Sequence, residues 1–267
     1  MDQRVNALWD ELCSTLRSYQ AVAVAFSGGA DSTLLLAAAR DLLGADHVLA
    51  LTAVTPYMVR QEIGEAVAMA AELGVRHELV EMGLPEGMDH NPSDRCYRCK
   101  HRMYTLLRDR AEALGFDVLL DASNVDDAED FRPGLRAARE LGVLAPFSAC
   151  HIGKSSVRAV SKELGLPTWR KPTNACLLTR LRFDRHVSMQ RLQQIEEGER
   201  LLSERGYNCV RVRCHDDLAR IEVAPEQRER LLREADAVVA GLRALGFRYV
   251  SLDLIGYQMG SMNDGQS

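Results

Sequence analysis

The chain has 267 residues, 46% of them hydrophobic and 27% charged, with a formal net charge of −5. That length can bury one large core or two modest ones, and the acidic balance excludes the strongly basic footprint of a nucleic-acid binder. No stretch has the apolar length of a membrane span, the opening Met-Asp-Gln-Arg is not a secretion signal, and seven cysteines then read as the thiols of a reducing, cytoplasmic compartment.

Elements are expected in this order. Residues 22–26 read as a buried strand and 31–43 as a helix; 47–54 is a strand, and 59–73 a helix stopped at Gly74. A short strand follows at 76–80, a helix at 96–114, a strand at 117–121, and helices at 131–141 and 154–164. This alternation predicts an α/β fold, a parallel sheet with helices on both faces. In open sheets of that kind ligands sit beyond the carboxyl ends of the strands, where Ser27, Thr55 and Ser123-Asn124 fall. Residues 166–176, with two prolines and no period, read as an extended link. Beyond it come a polar helix at 188–205, strands at 208–214 and 218–223, a helix at 226–245 and a strand at 249–254, the order of a smaller C-terminal α+β domain. The expected division is 1–168 and 169–267, and the polar tail 261–267 is expected to fray.

The most informative segment is Ser27-Gly28-Gly29-Ala30-Asp31-Ser32 between the first strand and its helix. Adjacent glycines let the backbone turn with its N–H groups aimed into one concavity, and the helix start adds free N–H groups and a positive dipole end. A bland strand–turn–helix junction, with Asp31 or Ser32 as a cap, is the alternative for a lone Gly-Gly; the full string favours a phosphate cradle. It resembles the PP-loop of the ATP pyrophosphatases. It is neither a Walker loop, lacking Gly-Lys-Ser/Thr, nor the dinucleotide fingerprint, lacking a third glycine.

Three cysteines stand out. Cys96-Tyr-Arg-Cys99 is a C-x-x-C without a second pair or a well-spaced histidine pair, which leaves a four-ligand zinc site incomplete. Cys176 follows about eighty residues later. Three thiolates leave one iron open on a four-iron cluster; the bland alternative is a buried helix start. Cys176 lies among Arg170, Lys171, Arg180 and Arg182, cations that favour a nucleophilic thiolate. Arg211 and Arg213 alternate on one strand and so share a face, suited to the phosphate of a nucleotide substrate, or form an exposed strand face. Glu199 and Glu222 are candidate metal or substrate ligands, and Arg180 a candidate contact to phosphate or carboxylate.

With Arg95–Lys100, Ala175–Arg180, Arg211–Glu222 and the Leu252-Asp-Leu-Ile-Gly-Tyr-Gln-Met-Gly-Ser-Met-Asn run added to the PP-loop, the chain resembles, over nearly its whole length, the LarE family of ATP-dependent sulfur transferases. That resemblance implies a PP-loop domain, adenine nucleotide alpha hydrolase-like and Rossmann-like. It implies adenylation of a carboxylate of pyridinium-3,5-biscarboxylate mononucleotide by ATP with Mg²⁺, sulfuration to a thiocarboxylate for the nickel-pincer nucleotide cofactor of lactate racemase, and a homo-oligomer. Ser27, Gly28, Gly29, Asp31 and Ser32 are then expected to hold the pyrophosphate and its metal. The sulfur comes from Cys176 itself, which becomes dehydroalanine, or from a sulfide on a [4Fe-4S] cluster held by Cys96, Cys99 and Cys176. The alternatives are a PP-loop tRNA thiolase, disfavoured by the net charge; an ammonia-using amide-forming ligase, which needs none of these thiols; and a non-catalytic nucleotide-binding regulator, which need not keep an intact cradle.

Overall fold

A computed structural model describes residues 3–127, 133–172, 175–258 and 261–262. The chain forms two compact units, Met1–Pro85 with Asp94–Asn174, and Glu86–Ser93 with Ala175–Ser267.

In the first unit the elements are α1 (Gln3–Arg17), β1 (Val22–Ala25), α2 (Ala30–Leu43), β2 (Val48–Val54), α3 (Arg60–Glu72), β3 (Arg76–Glu81), α4 (Arg95–Ala113), β4 (Leu119–Leu120), α5 (Pro133–Glu140), α6 (Pro146–Ala149) and α7 (Lys154–Glu163). The strands run parallel in the order β3-β2-β1-β4. Strand periodicity sends alternate residues to opposite faces. Val22, Val24, Val48 and Ala50 pack with Leu34, Leu35 and Ala66 from α2 and α3, whereas Ala23, Leu49, Leu51 and Ala53 pack with Tyr104, Leu107 and Ala137 from α4 and α5. Both faces are therefore dry, which is why β1 and β2 read as unbroken apolar runs.

Three local expectations are corrected. Helix α1 had no counterpart in the sequence reading, although Leu12 and Leu16, one turn apart, are fully buried. Strand β4 is two residues long rather than five; just past its end the Asp121 carboxylate accepts the Ser123 N–H at 2.9 Å. In the link, Pro167–Arg170 form a 3-10 turn, while 173–174 lie outside the described residues, as do 131–132 of the helix expected at 131–141 and 263–267 of the tail.

The second unit holds α8 (Met189–Glu204), β5 (Arg211–His215), β6 (Leu218–Glu222), α9 (Arg228–Arg233), α10 (Ala235–Ala244) and β7 (Tyr249–Leu252). Its sheet has the order β5-β6-β7, with β5 and β6 antiparallel and β6 and β7 parallel. The single helix expected at 226–245 is two, interrupted at Glu234. The Glu234 carboxylate accepts from Arg230 Nε at 2.9 Å and from the Tyr207 hydroxyl at 3.0 Å, which ties the break to the preceding loop.

Candidate active site

Chain order places β4 on the side of β1 opposite to β2, so the topology switches between β1 and β4. That is where such sheets open a crevice. A cavity of about 340 Å³ lies there, lined by Ser27 and Gly29–Ser32 of the loop, Thr52 and Ala53 near the end of β2, Lys100 and Met103 of α4, Asp121 and Ser123 after β4, and Asp127, Lys154 and Lys171. The volume suits a nucleotide-sized ligand.

The loop is internally braced. Ser27 and Ser32 hydroxyls lie 3.1 Å apart, the Ser27 N–H donates to Ser32 Oγ at 3.2 Å, and the Gly29 N–H reaches Ser27 Oγ at 3.4 Å. Gly28 has φ +67°, and a Cβ there would sit 2.9 Å from the Cα of Ala66, so only glycine lets α3 back the loop this closely. Gly29 caps α2 without a side-chain bond, and the first N–H groups of a helix have no partner within it.

Asp31 is half-buried and accepts from Asn124 Nδ2 at 3.0 Å; burial is the main force raising its carboxyl above the usual range, the Asn124 bond opposes it, and nearby Asp127 adds to it. Asp127 pairs with Lys154 at 3.1 Å. Opposite them, Lys100 donates to the Tyr104 hydroxyl at 3.0 Å, and that hydroxyl donates to Asp121 Oδ2 at 2.7 Å. Burial would raise the Asp121 carboxyl, but Lys100, Ser123 and Tyr104 outweigh it and hold it below the usual range. Burial would likewise weaken the Lys100 ammonium, but Tyr104 and Asp121 outweigh that and keep it protonated. Four cations (Lys100, Lys154, Arg158, Lys171) and four carboxylates (Asp31, Glu62, Asp121, Asp127) therefore line the cavity, with Phe26, Leu51, Met58 and Leu107 as its apolar wall. Lys100, Asp121, Asp127 and Lys154 were absent from the sequence-derived site; the polar run after β4 and the lysine directly following the C-x-x-C were the available signals.

Cys96 and Cys99 stand three residues apart at the start of α4, on one helical face. Cys96 is exposed; the Cys99 sulfur lies 3.1 Å from the buried Tyr57 hydroxyl, and burial is the largest influence raising its thiol. Two of the three thiols that a four-iron cluster takes thus share a face, and the third, Cys176, belongs to the other unit. Among the described residues no group of three or more His, Cys, Asp or Glu is arranged around a metal position.

In the second unit, Cys176 caps the 3-10 turn Leu177–Arg180. Arg180, 1% exposed, is gripped as a fork by Glu199 (Nε–Oε1 2.9 Å, Nη2–Oε2 2.8 Å) and donates to the carbonyls of Ala175 and Cys176 at 2.6 and 3.1 Å. Glu199 Oε1 also accepts the Val212 N–H at 3.0 Å. Asn91, fully buried with φ 50°, donates its amide to the carbonyls of Leu178, Leu181 and Arg182. The thiol-bearing loop is thus held from both sides, and Asn91 was not foreseen. Of the cations expected beside Cys176, Arg170 stacks on Trp169 and Lys171 bonds Gly28 and Glu65.

Arg211 and Arg213 do share a face, since they pair across the strands with Glu222 and Arg220. Arg213 is buried against Glu222 at 2.7 Å and the Thr179 carbonyl at 3.0 Å. Glu222, fully buried, also takes Arg220 at 3.2 Å and the Ser261 hydroxyl at 2.6 Å. Arg211 is half-buried over the Tyr257 ring, and burial, then the neighbouring Arg180, weaken its hold on its proton.

A parallel sheet with a pyrophosphate-type cradle at its switch point defines an ATP-using enzyme of the PP-loop class. The profile of the NAD synthase family matches residues 3–89. An uncharacterized protein of Synechocystis sp. is 42% identical over 245 residues, 90% of this chain and 91% of that protein. The pyridinium-3,5-bisthiocarboxylic acid mononucleotide synthase of Lactiplantibacillus plantarum is 36% identical over 255 residues, 95% of this chain and 92% of that protein. An uncharacterized protein of Methanocaldococcus jannaschii is 30% identical over 233 residues, 87% and 89% of the two chains. The chain belongs to the LarE family of ATP-dependent sulfur transferases.

Proposed function

We propose that the enzyme adenylates a carboxylate of pyridinium-3,5-biscarboxylate mononucleotide and converts it to a thiocarboxylate, a step toward the nickel-pincer nucleotide cofactor of lactate racemase. One observation carries this: the braced Ser27–Ser32 cradle occurs in a chain that aligns along 95% of its length with a synthase named for the bisthiocarboxylic acid product.

The chemistry follows from charge. A carboxylate repels nucleophiles, so its oxygen must first attack the α-phosphorus of ATP and expel pyrophosphate. The amides of Gly28 and Gly29 with Ser27 and Ser32 suit the departing phosphates, and Lys100 and Lys154 offset their charge. Asp31 is the carboxylate we assign to Mg²⁺, a hard cation that takes few carboxylates together with phosphate oxygens. In the second unit we assign Arg211 to the substrate phosphate, with Arg213 and Glu222 positioning it, while Arg180 and Glu199 hold the Cys176 loop.

Sulfur then attacks the acyl carbon and AMP leaves. If the donor is Cys176, its thiolate forms a thioester; loss of the Cα proton breaks the Cβ–S bond, leaving a thiocarboxylate and dehydroalanine. If the donor is inorganic, a cluster on Cys96, Cys99 and Cys176 would supply the sulfide. The enzyme works, on this reading, as a homo-oligomer in the cytoplasm, in keeping with seven cysteines that form no disulfide. The test is C176A assayed for AMP, pyrophosphate and thiocarboxylate. Adenylation persists and thiocarboxylate is lost; thiocarboxylate formation by C176A refutes the assignment. In the wild type, a mass loss of about 34 Da after turnover identifies the sacrificial donor, since the protein gives its sulfur to the thiocarboxylate and loses the elements of H₂S overall, rather than moving along the reversible oxidation ladder. Iron and sulfide in anaerobically purified protein, with no such loss, identify the cluster.

A further inference from the structure

The peptide joining Gly28 and Gly29 is the least restrained in the cradle, because neither flanking residue has a Cβ to block rotation of its plane. Its orientation matters: in a trans peptide C=O and N–H point to opposite sides, so a flip would exchange a donor for an acceptor at the phosphate position. The side chain of Lys171 fixes the choice. Its ammonium donates to the Gly28 carbonyl at 2.9 Å and is itself held by Glu65 Oε2 at 2.8 Å. Glu65 is steadied by Gln61, whose amide donates to Oε1 at 2.7 Å, and adjoins Ala66, the residue packed against Gly28. With the oxygen tied down, the Gly29 N–H is on the other side of the peptide, 3.4 Å from Ser27 Oγ, and both residues line the cavity.

We propose that Lys171 is a positioning residue for ATP: anchored by Glu65, it locks the Gly28–Gly29 peptide with its N–H turned toward the phosphates. Donors that are already aimed need no reorganisation when the anion arrives. The proposal rests on the ATP reading of the cradle. Calorimetric titration of Mg²⁺-ATP into full-length wild type, K171M, K171R and E65Q tests it. K171M weakens ATP binding about tenfold, the worth of one charge-assisted hydrogen bond, and K171R, which can still donate to both partners, restores it to within about threefold of wild type. E65Q separates orientation from simple charge. It leaves the ammonium but loosens its anchor, so binding weakens about threefold; a lysine acting only by its charge would bind ATP more tightly once the neighbouring carboxylate is neutralised. Tighter binding in E65Q, or wild-type affinity in folded K171M, overturns the proposal. Wild type that binds no ATP overturns the reading of the cradle and the proposal with it.

Discussion

Arg180 is the side chain whose burial makes the most quantitative demand. Arg180→Met keeps the aliphatic bulk but strands Glu199, which is 13% exposed and retains only the Val212 N–H among the bonds described here. Removing one partner of a buried ion pair costs about 3–5 kcal/mol. The surviving N–H bond and the residual exposure of Glu199 argue for the lower end, about 3 kcal/mol against a total stability of about 5–15 kcal/mol. For the smaller unit, about 100 residues melting in its own transition, that corresponds to a fall in Tm of roughly 12–24 °C. Adding Glu199→Gln removes the stranded charge, so the double variant recovers about half of the loss. Differential scanning calorimetry reads both, and because the two units can melt separately the shift is taken from the transition that moves. A fall of less than about 2 °C in R180M, together with weakened binding of the nucleotide substrate, would show that the guanidinium serves a ligand rather than the loop.

Other outcomes follow from single positions. Gly28→Ala must place a Cβ 2.9 Å from a backbone atom at a positive φ, whereas Gly29→Ala meets only Ser27 Oγ at 3.3 Å; ATP calorimetry should show binding abolished in the first and largely kept in the second. His77 is lowered below the ordinary imidazole range by burial. The Thr52 hydroxyl donates to the Phe26 carbonyl at 2.6 Å, so the His77 Nε2, 2.8 Å away, must supply the proton of their contact. The unfolded chain therefore takes up a proton more readily than the folded one, and stability falls as pH drops through the ordinary imidazole range. His77→Gln shallows the slope of Tm against pH without removing it, since His215 is shifted the same way; an unchanged slope contradicts the assignment.

The first unit was the more legible because its signals are local. An apolar run that ends in Gly-Gly and restarts as a helix announces β1, the cradle and α2 within 22 residues of sequence, 22–43. What escaped depends on partners distant in sequence. Nothing in Arg180 or Glu199 marks them as a buried pair, because burial of a charge is decided by its counterion 19 residues away. Glu234 is an ordinary helix former, so nothing local marks the break between α9 and α10, where its carboxylate meets the distant Tyr207 hydroxyl. The Lys100–Tyr104–Asp121 chain has one spacing typical of a helix surface, and only the return of β4 beside β1 gives it a cavity to line.

Asn91 carries a practical consequence for anyone dividing this enzyme. A fragment cut at the second crossing, beginning at residue 175, would contain every strand of the small sheet yet lack the amide that gathers three carbonyls of the 178–182 hook. Grafting that half onto another nucleotide-binding module would fail for the same reason unless the eight-residue strap 86–93 travelled with it. The two halves of the gene are thus interleaved rather than concatenated, and recombination between relatives should tolerate exchange of the whole chain far better than exchange at its midpoint.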